Sequence, residues 1–161
     1  MSQTDGEPLP QFATVQGNPQ EYTDRLKEFV AAQNINLEYD DRIAPARGMS
    51  SGSKITLLAE LGPAEHFAVL AHEMAHQLLH RGDRRHQTTH TVRETEAEAV
   101  AFVVSTAIGL DTNTSSSDYI QLHAGDKATL AESLAFIQQT ASVILRAMEP
   151  RDGTAGQLSK S

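Results

Sequence analysis

The chain has 161 residues, of which 39% are hydrophobic and 21% are charged, a composition typical of a single globular domain. Its formal net charge of −8 argues against direct nucleic-acid binding by this domain, because phosphate-binding surfaces usually carry an excess of lysine and arginine. The absence of cysteine excludes disulfides, thiolate metal ligands and cysteine nucleophiles.

The first residues, MSQTDGEPLPQF, lack the basic segment and apolar core of a signal peptide. No apolar run approaches the roughly 20 residues needed to cross a bilayer. We therefore expect a cytoplasmic protein with no membrane partner, and the lack of cysteine is compatible with a reducing compartment.

The first third of the chain predicts one helix and two strands. Residues 1–19 are polar and rich in proline and glycine, which predicts an extended lead-in, interpreted as the end of a linker from an upstream domain. Apolar residues recur at helical spacing over residues 20–34. Residues 35–39 alternate between apolar and polar and predict a half-buried strand, and a second strand is predicted over residues 54–58 after a loop at 48–53.

The remaining sequence is predicted to be mostly helical. A helix over residues 63–80 begins with a proline, whose missing N–H needs no partner in the first turn. A second helix, rich in alanine and glutamate, follows over residues 92–110, and a capping-box pattern opens a last helix over residues 129–148. These elements predict an α+β fold in one domain, residues 20–149, with a short antiparallel sheet packed on a helical body. Residues 150–161 are expected to form a disordered tail.

The segment that carries chemistry is an H-E-x-x-H motif, His72 to His76, inside the predicted helix 63–80. Residues four apart lie on one helical face, so both imidazoles can bind one ion. Glu73 is close enough to take a proton from a water on that ion, whose pKa zinc lowers toward neutrality. The alternative is a chance pair of histidines on an ordinary amphipathic helix.

A third ligand is expected, because catalytic zinc usually has three protein ligands and an open position. The following helix carries Glu94, Glu96 and Glu98. Glu94 and Glu98 share a face, whereas Glu96 points about 160° away from it. We therefore predict Glu94 as the third ligand and Glu98 as a carboxylate that orients a metal-bound histidine. The alternative third ligands are Glu96 and a loop histidine (His86 or His90), and an exposed acidic face is the alternative for the whole helix.

Other residues are weaker candidates. Tyr119 is a candidate donor to the oxyanion of a tetrahedral intermediate, or else a tyrosine packed under the helices. The strand over residues 54–58 is either an edge on which an extended peptide lies or a purely structural edge. His66 and His80 are interpreted as surface residues rather than ligands.

The motifs together resemble a known family. HEMAHQLLH followed by RETEAEAVAFVV is similar to the metallopeptidase domain shared by ArdC-type antirestriction proteins and ImmA/IrrE-like proteins. The segments SGSKITLL, SSDYIQL and GDKATLAESL resemble ArdC-like proteins further. SQTDGEPLP resembles the junction at which their single-stranded-DNA-binding domain ends.

The resemblance implies a small zincin-like fold of the gluzincin kind. It places zinc on His72, His76 and Glu94, the catalytic base at Glu73 and a supporting carboxylate at Glu98. It further implies an upstream single-stranded-DNA-binding domain in the full-length protein.

Two functions follow from these observations. The first is a zinc metallopeptidase that hydrolyses a peptide bond in a protein or peptide substrate. The second is an antirestriction or DNA-associated binding module, in which the zinc domain docks or stabilises with little proteolysis. Glu73 favours the enzyme, because a structural zinc site has no use for a base beside an open coordination position.

Overall fold

The structure is a computed structural model that describes residues 15–16, 19, 21–80, 86, 88–112 and 127–149. The described residues form four helices: α1, Glu21–Ala32; α2, Pro63–Leu79; α3, His90–Ala107; and α4, Lys127–Ala147. They also form five strands: β1, Val15–Gln16; β2, Asn36–Tyr39; β3, Gly48–Ser51; β4, Lys54–Leu57; and β5, Asp111–Thr112. The predicted α+β class is confirmed.

The main sheet has the strand order β2-β4-β3, so β4 is the central strand and β3 lies at one edge. β3 and β4 are antiparallel and joined by a tight turn in which Gly52 has a positive φ of 56°, a conformation that glycine adopts without steric cost. β2 and β4 are parallel, so the sheet is mixed, and the predicted antiparallel pairing holds for β3 with β4 but is wrong for β2 with β4. The reason is the connection after β2, which begins with a 3-10 turn at Asp41–Ile43 and carries the chain to the far edge before it returns as β4.

The loop predicted over residues 48–53 is therefore mostly strand, because β3 occupies its first four residues. Gly, Met and Ser have little intrinsic preference for strands, and pairing with β4 supplies the backbone hydrogen bonds instead. The edge beside α2 is consequently formed by β3, whereas β4 is the central strand and its residues Ile55 to Leu57 are buried. The expectation that residues 54–58 form a sheet edge is therefore wrong.

Helix α2 is the central element of the fold. Pro63 stands at its first turn, and every later turn contributes buried side chains, including Phe67, Leu70 and Met74. It packs against the sheet and against α1, α3 and α4. The H-E-x-x-H motif therefore lies on the most enclosed helix of the molecule, whose backbone is held on several sides.

Helix α3 begins at His90, where Thr89 caps it by accepting a hydrogen bond from the backbone N–H of Val92 at 3.1 Å. Its apolar residues Ala97, Val100 and Val104 are buried. These contacts hold α3 along α2, which brings the acidic first half of α3 beside the histidines.

Two further features complete the fold. β1 pairs with β5 in an antiparallel ribbon, with Val15 opposite Thr112, so part of the stretch predicted as a lead-in takes part in the domain. No helix within the described ranges is long and apolar enough to cross a membrane.

Candidate metal centre

The two histidines of the motif converge on one carboxylate. His72 Nε2 lies 3.2 Å from Glu94 Oε1, and His76 Nε2 lies 3.0 Å from Glu94 Oε2. The possible ligand atoms of these three residues all lie within 4.8 Å of one another. Adjacent turns of α2 supply the imidazoles, and the first half of α3 supplies the carboxylate.

The chemistry of these donors suits a metal ion. Two imidazole nitrogens and one carboxylate oxygen form a set used by zinc enzymes, and they leave a further coordination position for a small ligand. The side chain of His72 is 4% exposed and that of Glu94 is 45% exposed. The site is thus closed on the α2 side and open on the α3 side.

A second carboxylate orients His72. Glu98 Oε1 lies 3.1 Å from His72 Nδ1, the ring nitrogen that does not face Glu94. An Nδ1–H that donates to Glu98 leaves the lone pair of Nε2 directed at the metal position. The structure thus places Glu98 where the sequence interpretation expected a supporting residue.

The carboxylates also set the charge of the site. Burial alone lowers the pKa of His72, but the hydrogen bonds to Glu94 and Glu98 and the charge of Glu73 raise it to about 10. Burial alone raises the pKa of Glu94, but its hydrogen bonds with His72 and His76 hold it well below its usual range. Without a metal ion, therefore, a protonated His72 and an ionised Glu94 form an ion pair at neutral pH.

Glu73 is buried in the same region. Its burial raises the pKa of its carboxyl above the usual value, and the charges of His72 and His76 oppose that effect only in part. β3 approaches it closely: a Cβ on Gly48 would lie 3.1 Å from Glu73 Oε2 and 2.7 Å from Val69 Cγ1. Glycine at this position thus allows the edge strand to pack directly over the predicted base.

A cleft of about 700 Å³ opens over these residues. One wall is the whole of β3 with the turn at Gly52, and the other is the start of α3. Its floor includes Glu73, His76 and Gln77. The cleft therefore places an edge strand, the predicted base and two of the candidate ligands around one opening.

The alternative third ligands are not part of the group that could hold a metal, although His90 lines the same cleft. His86 and His90 are exposed, and neither joins the group that could hold a metal in the described part of the chain. Glu96 is fully buried and contacts His80 Nε2 through Oε1 at 2.9 Å. Glu94 is thus the acidic residue of α3 that lies beside both motif histidines.

Sequence reasoning misassigned His80, which was interpreted as a surface residue but is 4% exposed. Its Nδ1 lies 2.8 Å from His76 Nδ1, and its Nε2 faces Glu96. A signal was present, because His80 follows His76 by four residues and so shares the ligand face of α2. No comparable sequence pattern indicated that Glu96 would contact His80. Tyr119, the predicted oxyanion donor, lies outside the described residues.

Comparisons of this chain with protein-family models, with curated proteins and with solved structures found no match.

Proposed function

We propose that this chain is a zinc metallopeptidase domain in which His72, His76 and Glu94 hold the metal and Glu73 is the general base. The observation that carries the proposal is the convergence of both histidines on Glu94, beside a buried Glu73 that lines the same open cleft. A purely structural metal site would need neither the base nor the opening.

The family resemblance forms part of the same proposal. The domain would then be the gluzincin-type peptidase part of an ArdC-like protein, located in the cytoplasm and following a single-stranded-DNA-binding domain. The net charge of −8 supports a division of labour in which the upstream domain, rather than this one, binds DNA.

The chemistry divides between the metal and the chain. Zinc, when bound, supplies a Lewis acid that polarises the scissile carbonyl and lowers the pKa of water toward neutrality. Glu73 accepts the proton of the attacking water and returns it to the nitrogen of the leaving amine. The raised pKa of Glu73 suits both transfers, because it brings the carboxyl closer to the pH at which the protein works. Glu98 keeps His72 in the tautomer that binds metal.

The cleft suits an extended polypeptide. β3 is an edge strand, and its far side has no paired neighbour among the described residues. A substrate strand laid along β3 would make main-chain hydrogen bonds and pass its backbone over Glu73 and His76. We therefore propose an unfolded or flexible segment of a protein as the substrate.

The test compares wild type with Glu73→Gln, which keeps the shape of the side chain but removes the base. Both proteins are loaded with zinc and incubated with a peptide library from digested cell lysate, and new termini are counted by mass spectrometry. We expect cleavage to fall about 10²–10⁴-fold in Glu73→Gln while zinc content and fold are preserved. Glu60→Gln, an exposed glutamate before α2, is the matched control.

Equal cleavage by wild type and Glu73→Gln would overturn the peptidase proposal. A parallel assay in cells expresses the full-length protein in both forms and compares the protection of incoming DNA. If Glu73→Gln protects as well as wild type, the zinc domain acts as a docking or stabilising module instead.

A further inference from the structure

We propose that His80 is a positioning residue for the metal ligand His76, and that buried Glu96 holds His80 in the tautomer this task requires. The inference rests on the proposed metal site and adds to it a series of hydrogen bonds that runs from α2 through α3 to α4. It concerns residues that neither ligate the metal nor touch the reacting atoms.

The hydrogen bonds that link these residues form a continuous path in the structure. His76 Nδ1 lies 2.8 Å from His80 Nδ1, and His80 Nε2 lies 2.9 Å from Glu96 Oε1. The hydroxyl of Ser133 on α4 donates to the other oxygen of Glu96. The side chains of His80 and Glu96 are both 0% exposed, so these polar groups bond to protein in place of bulk water.

The positions of the protons follow from the geometry. His76 turns Nε2 toward Glu94, so Nε2 needs a free lone pair to bind the metal and the ring proton lies on Nδ1. That Nδ1–H donates to His80 Nδ1, which must therefore be the unprotonated nitrogen of His80. The ring proton of His80 then lies on Nε2, where Glu96 accepts it. Each of these two hydrogen bonds therefore has only one donor and one acceptor assignment that leaves His76 Nε2 free to bind the metal.

The arrangement explains why a carboxylate is buried so deeply. An isolated buried carboxylate is strongly unfavourable unless it is hydrogen-bonded, and Glu96 accepts from both His80 and Ser133. Each of the two histidine ligands, His72 and His76, is thereby connected to a carboxylate by hydrogen bonds. Glu98 contacts His72 directly, and Glu96 reaches His76 through one intervening imidazole.

The experiment measures zinc affinity by chelator competition in His80→Leu and His80→Asn. Leucine has a volume similar to histidine but accepts no hydrogen bond, whereas Oδ1 of asparagine stands at the same place along the side chain as Nδ1 of histidine. We expect His80→Leu to bind zinc about 10–100-fold more weakly than wild type, and His80→Asn to recover most of that loss. His66→Leu, on the same helix but hydrogen-bonded to Tyr39 instead, is the matched control and should bind zinc as wild type does.

A spectroscopic measurement separates positioning from simple structural support. The visible absorption of Co²⁺ bound in place of zinc reports the geometry of the ligands, and we expect a changed spectrum in His80→Leu but not in His80→Asn. Thermal unfolding of the metal-free variants shows whether each one folds. Should His80→Leu not fold, Glu96→Gln decides the question, because it keeps the volume but leaves one acceptor oxygen for two donors, and its zinc affinity should also fall.

The inference is overturned if His80→Leu, or Glu96→Gln in its place, matches wild type in zinc affinity and Co²⁺ spectrum. It is equally overturned if His80→Asn binds zinc as weakly as His80→Leu does. Failure of wild type itself to bind zinc would instead overturn the proposed function, so the two failures are distinguishable.

Discussion

Glu94 is the residue that would complete a metal site with the two histidines of α2. Both of its oxygens face an imidazole, at 3.0 and 3.2 Å. Glu94→Gln replaces an anionic ligand by a neutral amide of the same size, and we expect zinc affinity to fall by more than 100-fold, beyond the roughly 10–100-fold loss typical of supporting residues. Chelator competition measures the affinity.

Two further glutamine variants provide comparisons for the expected loss of zinc affinity in Glu94→Gln. Glu98→Gln weakens the hydrogen bond to His72 without removing a ligand, so zinc affinity should fall less in Glu98→Gln than in Glu94→Gln. Glu60→Gln should have no effect. A larger loss in Glu98→Gln than in Glu94→Gln would show that the ligand and the supporting carboxylate are exchanged.

The charge of His72 predicts how zinc binding depends on pH. With its pKa raised to about 10 in the metal-free protein, His72 is protonated at neutral pH and must lose that proton to bind zinc. Apparent zinc affinity should therefore rise by about tenfold per pH unit between pH 6 and 8. Calorimetric titration in buffers of different ionisation enthalpy should detect release of about one proton for each zinc bound. An affinity independent of pH in this range would show that His72 is already neutral.

At the scale of elements, the site depends on the close packing of β3 against α2. A methyl group on Gly48 would lie 2.7 Å from Val69 Cγ1, so either β3 or the Val69 side chain would have to shift. We expect Gly48→Ala to destabilise the fold by about 1–3 kcal/mol, the usual cost of overpacking, and to lower peptide cleavage by moving β3 from Glu73. Ser51→Ala, at an exposed position of the same strand, is the control. Urea denaturation measures the stability, and equal stability of the two variants would contradict the packing argument.

The helices were predictable because their signals are local. The expected ranges 20–34, 63–80 and 129–148 agree with α1, α2 and α4 to within two residues at each end. β3 was not predictable, because Gly-Met-Ser-Ser has no strand pattern of its own and takes its conformation from pairing with β4. The parallel pairing of β2 with β4 was missed for the same reason, since the order of strands depends on contacts between distant residues.

For the whole molecule, metal binding and folding should be coupled. The ligands come from α2 and α3, which are joined through an intervening segment and lie side by side only in the folded chain. Zinc at about 100 times its Kd should add about 2.7 kcal/mol to the free energy of unfolding, which raises the thermal midpoint by roughly 5–11 °C for a chain of this size. Differential scanning calorimetry with zinc and with a chelator measures the shift.

His76→Ala provides the control for that measurement, because it removes a ligand that both α2 and α3 help to position. Its midpoint should be insensitive to zinc. A shift of the same size in this variant would place the bound zinc outside the proposed centre.

Helical periodicity is sufficient to predict the arrangement on α2, namely the H-E-x-x-H spacing, the shared face of its histidines and the place of Glu73. Helical periodicity also places Glu94 and Glu98 on one face of α3 and Glu96 on another. Which of these faces meets the histidines depends on how α3 packs against α2, a contact between residues distant in the chain that periodicity does not specify.

The burial of His80 and the edge position of β3 were likewise decided by tertiary structure. The spacing from His76 places His80 on the ligand face of α2, but it does not show whether that face is covered one turn beyond the motif. The covering groups are Glu96 on α3 and Ser133 on α4, whose positions depend on tertiary packing. Local periodicity fixes which side chains share a face, whereas long-range packing fixes what each face contacts.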